Sequence, residues 1–322
     1  MPEFPTQHIN VWLTSIVRGL ALESGLVGTQ LLPVVVTNRD DEANERGPKY
    51  TVALTDYGYD SATVVDLDDL ESVGNGAYPL VSFSEEVQII KLRRYHIAAE
   101  ISDETVDILE DLGKTNVIDN YVVRTAALYN RAVEAAIAKV ATTTANYPST
   151  HVKTLSGTDK WSHDDSNPVQ DVRDAIARVW DTCGIVPDLL VLPFAVANRL
   201  AVHPKVVAQI RYTEGIGPLD DATLARALGV QRVAIARTLQ VRPGLPPSGT
   251  PWGNHAVLAA TMPGNAQEPR RFAGAVFRAR GYPLALEPQR DPKAPRIIAP
   301  IRDWMRITWL DGGAAYLFRD VL

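Results

Sequence analysis

Between Val117 and Val140 the large apolar residues fall at Ile118, Tyr121, Val122, Leu128, Tyr129, Val133, Ile137 and Val140. Gaps of three and four place these side chains on one face of a helix. Ala126, Ala127, Ala132, Ala135, Ala136, Ala138 and Ala141 lie among them and favour the same conformation. No Gly or Pro interrupts 116–147, and Pro148 forbids continuation, so the pattern predicts a spine helix on the order of 40 Å long. A shorter amphipathic helix precedes it, capped by Ser102 with Glu104 and Asp107 in its first turns, and Gly113 separates the two. The spacing is too irregular for a coiled coil.

The flanking patterns differ. Residues 1–36 carry a mixed apolar segment (Val11, Trp12, Leu13, Ile16, Val17, Leu20) and then the run Leu31 to Val36, broken by Gly19, Gly25, Gly28 and Pro33. This predicts an arm with a short helical part and an extended end, with too little apolar surface to fold alone. From 49 to 101 the pattern becomes strand-like at 50–54, 62–65, 78–83 and 87–92, which predicts a long ribbon, marginal in water without a partner. Beyond a polar stretch at 149–167, helices are predicted at 168–182, 194–200, 203–210 and 220–228, with strands at 189–192, 232–236 and 256–260. This block, 165–262, reads as self-sufficient. The last sixty residues return to strands at 271–278 and 305–310, and Asp311-Gly312-Gly313 predicts a hairpin into a return strand at 314–318.

Composition narrows the class. The chain of 322 residues holds 46 % apolar residues, enough for a substantial core. Cys183 stands alone, which excludes an intrachain disulfide and fits a reducing compartment. No run approaches a membrane helix, and MPEFPTQHIN lacks the features of a signal peptide, so synthesis and residence in the cytoplasm are expected. A net charge of −6 argues against a dedicated nucleic-acid binder. That charge is unevenly spread. Residues 39–71 hold ten acids, Asp66, Asp68 and Asp69 among them, against three bases. Residues 265–306 hold nine bases, including Arg270, Arg271 and Arg278, against four acids. The asymmetry matters only if the two regions meet, within a chain or between chains.

Motifs for chemistry fail one by one. His163-Asp164-Asp165, with His151 nearby in sequence, has neither a helix-based pair nor a Cys partner for a metal. Asp66 to Ala77 lacks the Gly and Glu of a calcium loop, and Gly215 to Pro218 lacks the Lys and Ser/Thr of a phosphate loop. No nucleophile elbow is present, and Cys183 meets a His only if the fold supplies one. No catalytic, cofactor-binding or metal residue is therefore assigned, and a non-enzymatic, structural role is expected.

Several stretches resemble the major capsid proteins of tailed double-stranded DNA phages, the Hong Kong 97-like shell fold. They are Gly25-Leu26-Val27 with Leu31 to Val36 and Gly47 to Tyr50, Asn146-Tyr147-Pro148 followed by Leu155 to Ser162, and His203 to Val207 with Ile210 to Thr213. Leu228-Gly229-Val230, Trp252-Gly253-Asn254 and Tyr316 to Arg319 complete the series. The resemblance implies an α+β fold with an N-terminal arm (1–48), an extended β-hairpin loop (49–98) and a peripheral domain with the spine helix (99–164). An axial α/β domain (165–262) and peripheral terminal strands (263–322) follow. It also implies a virion shell of hexamers and pentamers, assembled in the host cytoplasm around DNA that it contacts non-specifically. Portal, scaffold and decoration proteins are its implied partners, a separate scaffold or a removed N-terminal segment both staying open, and no cofactor is implied.

Three expectations attach to particular residues. The acidic ribbon (Asp66, Asp68, Asp69) should lie over a basic surface of a neighbour (Arg270, Arg271, Arg278), and Trp12, Leu13, Ile16 and Val17 should anchor the arm to another copy. The spine helix should pack on Met305, Ile307, Trp309, Tyr316 and Phe318 of its own chain. The same fold builds encapsulin compartments around a cargo enzyme, which is the alternative; a soluble enzyme using Cys183 or the His163 region is the other class.

Overall fold

The computed structural model describes residues 9–20, 26–37, 49–53, 87–211, 221–239, 249–262 and 271–322. The strands expected at 62–65 and 78–83, and most of the acidic ribbon, lie outside them. The chain opens with helix α1 (Val11–Leu20), the single turn α2 (Gly28–Leu31) and strand β1 (Val34–Thr37), the helical and extended parts foreseen for the arm. Strands β2 (Lys49–Ala53) and β3 (Val87–Lys91) pair antiparallel as the base of a ribbon. The long strand β4 (Arg93–Ser102) was not foreseen from the sequence; it runs into α3 (Asp103–Asp111), whose Thr105 N–H donates to the Ser102 hydroxyl at 3.2 Å.

Gly113 and Asn116 both adopt positive φ (76° and 58°), turning the chain before the spine helix α4 (Val117–Ala141). Its 25 residues span about 38 Å. The helix stops earlier than its uninterrupted pattern allows, because polar side chains take its last carbonyls. Thr142 and Thr143 bond back to Ala138 and Lys139, Asn146 Nδ2 donates to the Val140 carbonyl at 2.7 Å, and the Tyr147 hydroxyl donates to that of Ala141.

The remaining elements are β5 (Val152–Thr154), α5 (Pro168–Cys183), β6 (Leu189–Pro193), α6 (Phe194–Ala201), α7 (Pro204–Arg211), α8 (Asp221–Leu228), β7 (Arg232–Ala236) and β8 (Ala256–Ala259). Strands β9 (Gly274–Ala279), β10 (Leu284–Ala285), β11 (Gln289–Arg290), β12 (Arg296–Trp309) and β13 (Ala315–Arg319) end the chain. They form two main sheets. The first is built on β12, which pairs along ten residues with β4 and on its other side with β11, β10 and β9 in turn; β1 then joins β9 in parallel. Alternate residues Ala299, Ile301, Asp303 and Met305 of β12 are buried. The second sheet has the order β5-β13-β8-β6-β7. All five residues of β6 are buried, which is why that stretch reads as an unbroken apolar run.

Two expectations change here. Asp311-Gly312-Gly313 makes no hairpin: β13 leaves the first sheet and pairs with β8 and β5 in the second. Gly312 is needed for closeness rather than for a turn, since a Cβ there would collide with the Asn146 carbonyl at the spine exit. The sheet of the block 165–262 is completed from outside it by 152–154 and 315–319. Tyr129, Val133 and Ile137 of α4 do pack with Met305, Ile307 and Trp309, but Tyr316 and Phe318 turn to the other face of the second sheet. There Phe318 stacks on Trp161, their ring centres 5.2 Å apart.

Candidate inter-subunit contacts and the arm joint

Helix α1 is amphipathic, and its buried side faces its own chain. Leu13 and Val17 are buried among Ala99, Val122, Ala126, Ala285 and Ile301, with Ile16 half-buried beside them. The Thr14 hydroxyl accepts the Ala285 N–H at 3.0 Å, and Asn10 Oδ1 accepts the Leu13 N–H at 2.9 Å, so the helix is both capped and pinned. Of the four expected anchors, Leu13 and Val17 thus serve an internal contact, while Trp12 remains 56 % exposed. Sequence periodicity picked out the apolar face without telling whether its partner was the same chain.

The arm's second attachment is a single carboxylate. Glu134, on the buried face of α4, is only 2 % exposed. Its Oε2 accepts the Gly28 N–H at 2.7 Å; its Oε1 accepts the Val27 N–H at 3.2 Å and the Trp252 indole N–H at 2.8 Å. Arm, spine helix and the loop before β8 therefore converge on one side chain. A Cβ on Gly28 would sit 2.6 Å from Glu134 Oε2 and 3.0 Å from Ile137, so only glycine lets the arm approach this closely. Burial raises the Glu134 carboxyl above its ordinary value, and the bonds from Trp252, Gly28 and Val27 work against that rise. In sequence, Glu134 looks like one more solvated charge among alanines. An open cleft of about 530 Å³ borders this joint, and among the described residues its lining includes no His, Cys or Ser.

The basic residues expected to receive a neighbour's ribbon are placed differently from one another. Arg270 and the three acids Asp66, Asp68 and Asp69 lie outside the described residues. Arg271 meets Asp311 at 2.6 Å. Arg278 is 7 % exposed and meets Asp303, itself 1 % exposed, at 3.1 Å; the same carboxylate oxygen accepts the Tyr129 hydroxyl at 2.9 Å. Arg278 therefore belongs to a buried pair that ties α4 to the first sheet, and it leaves the exposed basic surface. Burial raises the Asp303 carboxyl above its ordinary range, opposed by Arg278 and Tyr129. Burial, then the Asp303 charge, raises the Tyr129 phenol. Arg94 and Arg306 occupy the opposite face of the same sheet, with the Arg94 guanidinium 5.9 Å from the Trp304 ring centre.

The residues considered for catalysis are scattered. His151 is buried between the Ala315 carbonyl and the Thr182 hydroxyl, each 2.9 Å away. His163 lies in an exposed loop 3.5 Å from Asp165. Burial and the neighbouring Asp311 push the Cys183 thiol up to about 11, so it stays protonated and unreactive at neutral pH. Among the described residues no three His, Cys, Asp or Glu side chains gather as metal ligands, and no helix is long and apolar enough to cross a membrane.

No protein-family model matches the chain. A stretch of 129 residues is 35 % identical to the major capsid protein of Pseudomonas phage JBD67, covering 38 % of this chain and 40 % of that relative, less than half its length. A phage-related protein from Bordetella bronchiseptica superposes with a TM-score of 0.72 at 21 % identity, over 98 % of both chains. The putative capsid protein of an Escherichia coli CFT073 prophage gives 0.55 at 11 % identity, over 98 % of this chain and 99 % of that one. The holo-SrpI encapsulin complex of Synechococcus elongatus gives 0.51 at 11 % identity, over 99 % and 90 %. The fold is the Hong Kong 97-like shell fold, mixed helix and sheet.

Proposed function

We propose that the chain is the major capsid protein of a tailed double-stranded DNA phage, a non-enzymatic coat subunit that assembles as hexamers and pentamers into an icosahedral shell. The observation that carries this reading is the sequence match to a phage major capsid protein, set on a chain that superposes along nearly its whole length on a shell-type fold. Portal, scaffold and decoration proteins would be its partners, packaged DNA would touch its inner face non-specifically, and the virion capsid would be its location, reached from the host cytoplasm. The axial part (165–262, completed by β5 and β13) would surround the centre of each capsomer, and the ribbon (49–98) would extend from the peripheral part.

The inter-subunit contacts follow from what the chain leaves exposed. Of the four expected anchors Trp12 is the one available to a neighbour, beside exposed Val11 and with Ile16 at its edge. The acidic ribbon, with Asp66, Asp68 and Asp69, would lie over a basic surface drawn from Arg270, Arg271 and the Arg94 and Arg306 face. Individual exposed pairs contribute about 0–1 kcal/mol, yet they repeat in every copy of a shell. Electron microscopy of the expressed chain tests the reading: closed, regular particles are expected, and a monomer at all concentrations would refute it. DNA protected from nuclease inside particles separates a phage shell from the encapsulin alternative, which would hold an enzyme cargo. Reversing Asp66, Asp68 and Asp69 to Lys should lower particle yield, and equal yields would remove the ribbon contact from the proposal.

A further inference from the structure

The second sheet carries an exposed knob and an exposed groove at opposite ends of the same strand. Trp180, on the last turn of α5, is 55 % exposed, and Val186 in the following loop is 60 % exposed. Both precede β6. Where β6 and its parallel neighbour β7 end, a groove of about 570 Å³ opens, lined by Phe194, Ala195, Ala236, Leu239, Thr250 and Asn254. Phe194 and Leu239 are themselves 52 % and 55 % exposed. Trp180 and Val186 precede the start of β6 in the chain, the groove lies beyond its end, and β6 itself is about 17 Å long.

Between copies they are complementary. An indole is a large apolar anchor with one polar edge, and a groove of this size, with Phe194, Ala195, Ala236 and Leu239 beside Thr250 and Asn254 in its lining, accommodates one. The charges beside them have opposite sign. Exposed Asp181 follows Trp180, while Arg237 flanks the groove and reaches Asp221 only at 3.5 Å, with both side chains about half exposed. A contact between two different faces of one molecule, repeated by a fixed rotation, builds a ring when that rotation closes and an open filament when it does not.

We infer that Trp180 of one copy seats in the Phe194–Leu239 groove of the next, with Asp181 facing Arg237, and that this contact closes the ring around the capsomer axis. The inference rests on the shell reading above. It is tested with Trp180→Cys and Leu239→Cys combined in a Cys183→Ser background, oxidised after assembly and run without reductant. A ladder of covalent oligomers ending at five and six chains is expected, with neither single-cysteine variant giving one. Because both side chains are exposed, the substitutions leave the fold intact. Asp181→Arg alone should lower the yield of assembled material by about tenfold, and adding Arg237→Asp should restore most of it. Particles that form without a ladder, or an Asp181→Arg chain that assembles like the native one, overturn this contact and leave the shell reading standing. A ladder from soluble rings that never close into particles sinks the shell reading and keeps the contact; neither ladder nor particles sinks both.

Discussion

Removing the Glu134 carboxylate tests whether the arm is held by polar contacts at one point or by spread-out apolar burial. In Glu134→Ala three buried donors, the Val27 and Gly28 N–H groups and the Trp252 indole N–H, lose their acceptor together. A buried donor left unpaired costs about 1–3 kcal/mol. The carboxylate's own burial penalty, visible in its raised pKa, disappears with it and offsets part of the loss. The net cost is then about 3–4 kcal/mol at neutral pH, or roughly 4–6 °C in Tm for a chain of this length. Gly28→Ala attacks the same joint from the arm side, where a Cβ 2.6 Å from Glu134 Oε2 forces the backbone outward at about 1–3 kcal/mol. Limited proteolysis with mass readout and thermal melts measure both effects. Each variant should expose cleavage in 9–37 at protease levels that leave α4 and both sheets intact. The double variant decides the mechanism: with Oε2 gone, Gly28→Ala should cost clearly less than it does alone. Additive costs, or a Glu134→Ala chain as stable and protease-resistant as the native one, would refute the joint.

Three further outcomes are expected. Leu13→Ala should lower monomer stability by about 2–4 kcal/mol, whereas Trp12→Ala should leave Tm nearly unchanged and reduce particle yield; the reverse pattern would put α1 the wrong way round. Asp303→Asn should be strongly destabilising, by about 3–5 kcal/mol, because it removes the charge that meets buried Arg278, while Arg278→Met with Asp303→Leu should recover much of that loss in chemical denaturation. Burial works against the Asp188 charge, but bonds from the Thr261 N–H and hydroxyl and from Arg232 outweigh it and hold the carboxyl below its ordinary 3.8. Its contribution is therefore present above pH 3.8 and is lost as pH falls through the depressed folded value, so the Tm gap between native protein and Asp188→Asn should be large at pH 7 and close in stronger acid.

Local signals in the sequence were reliable where one segment settles its own structure. The Asn167 cap with Pro168 at the start of α5, the left-handed Gly184 and Gly229 after α5 and α8, and the apolar run of β6 all stand where their chemistry places them. Signals that depend on a distant partner were misread. The strand predicted at 305–310 in fact begins at Arg296, and β12 runs through Pro300, whose carbonyl accepts the Leu286 N–H at 2.9 Å. Asp311-Gly312-Gly313 carried hairpin chemistry, yet the approach of Asn146 decides the use of Gly312. Buried charges were the least legible. Glu134, Asp303 and Arg278 have the residue types of a solvated surface, and only the pairing of β9 with β12 under α4 brings two of them together.

Helix α4 explains why the two sheets do not behave as separable domains. Tyr129, Val133, Ile137, Ala138 and Ala141 share one apolar core with Leu189, Val191, Val257 and Leu317 of the second sheet and with Val276 and Met305 of the first. The chain also crosses between the sheets at 310–314, and β13 brings the C-terminal segment into the second one. A displacement of one sheet against the other would open that core and pull on β13 at once, at a cost of several buried side chains. Any difference in surroundings between copies of the chain would therefore be taken up more easily by parts outside this core. In the described residues α1 is held by Leu13, Val17 and half-buried Ile16 and by hydrogen bonds of Asn10, Thr14 and Arg18 to 283–285, while the backbone of the 26–32 segment hangs on Glu134 beside the apolar contacts of Val27, Leu31 and Leu32. Detaching the arm would break only these named groups, whereas parting the sheets would open the core they share with α4.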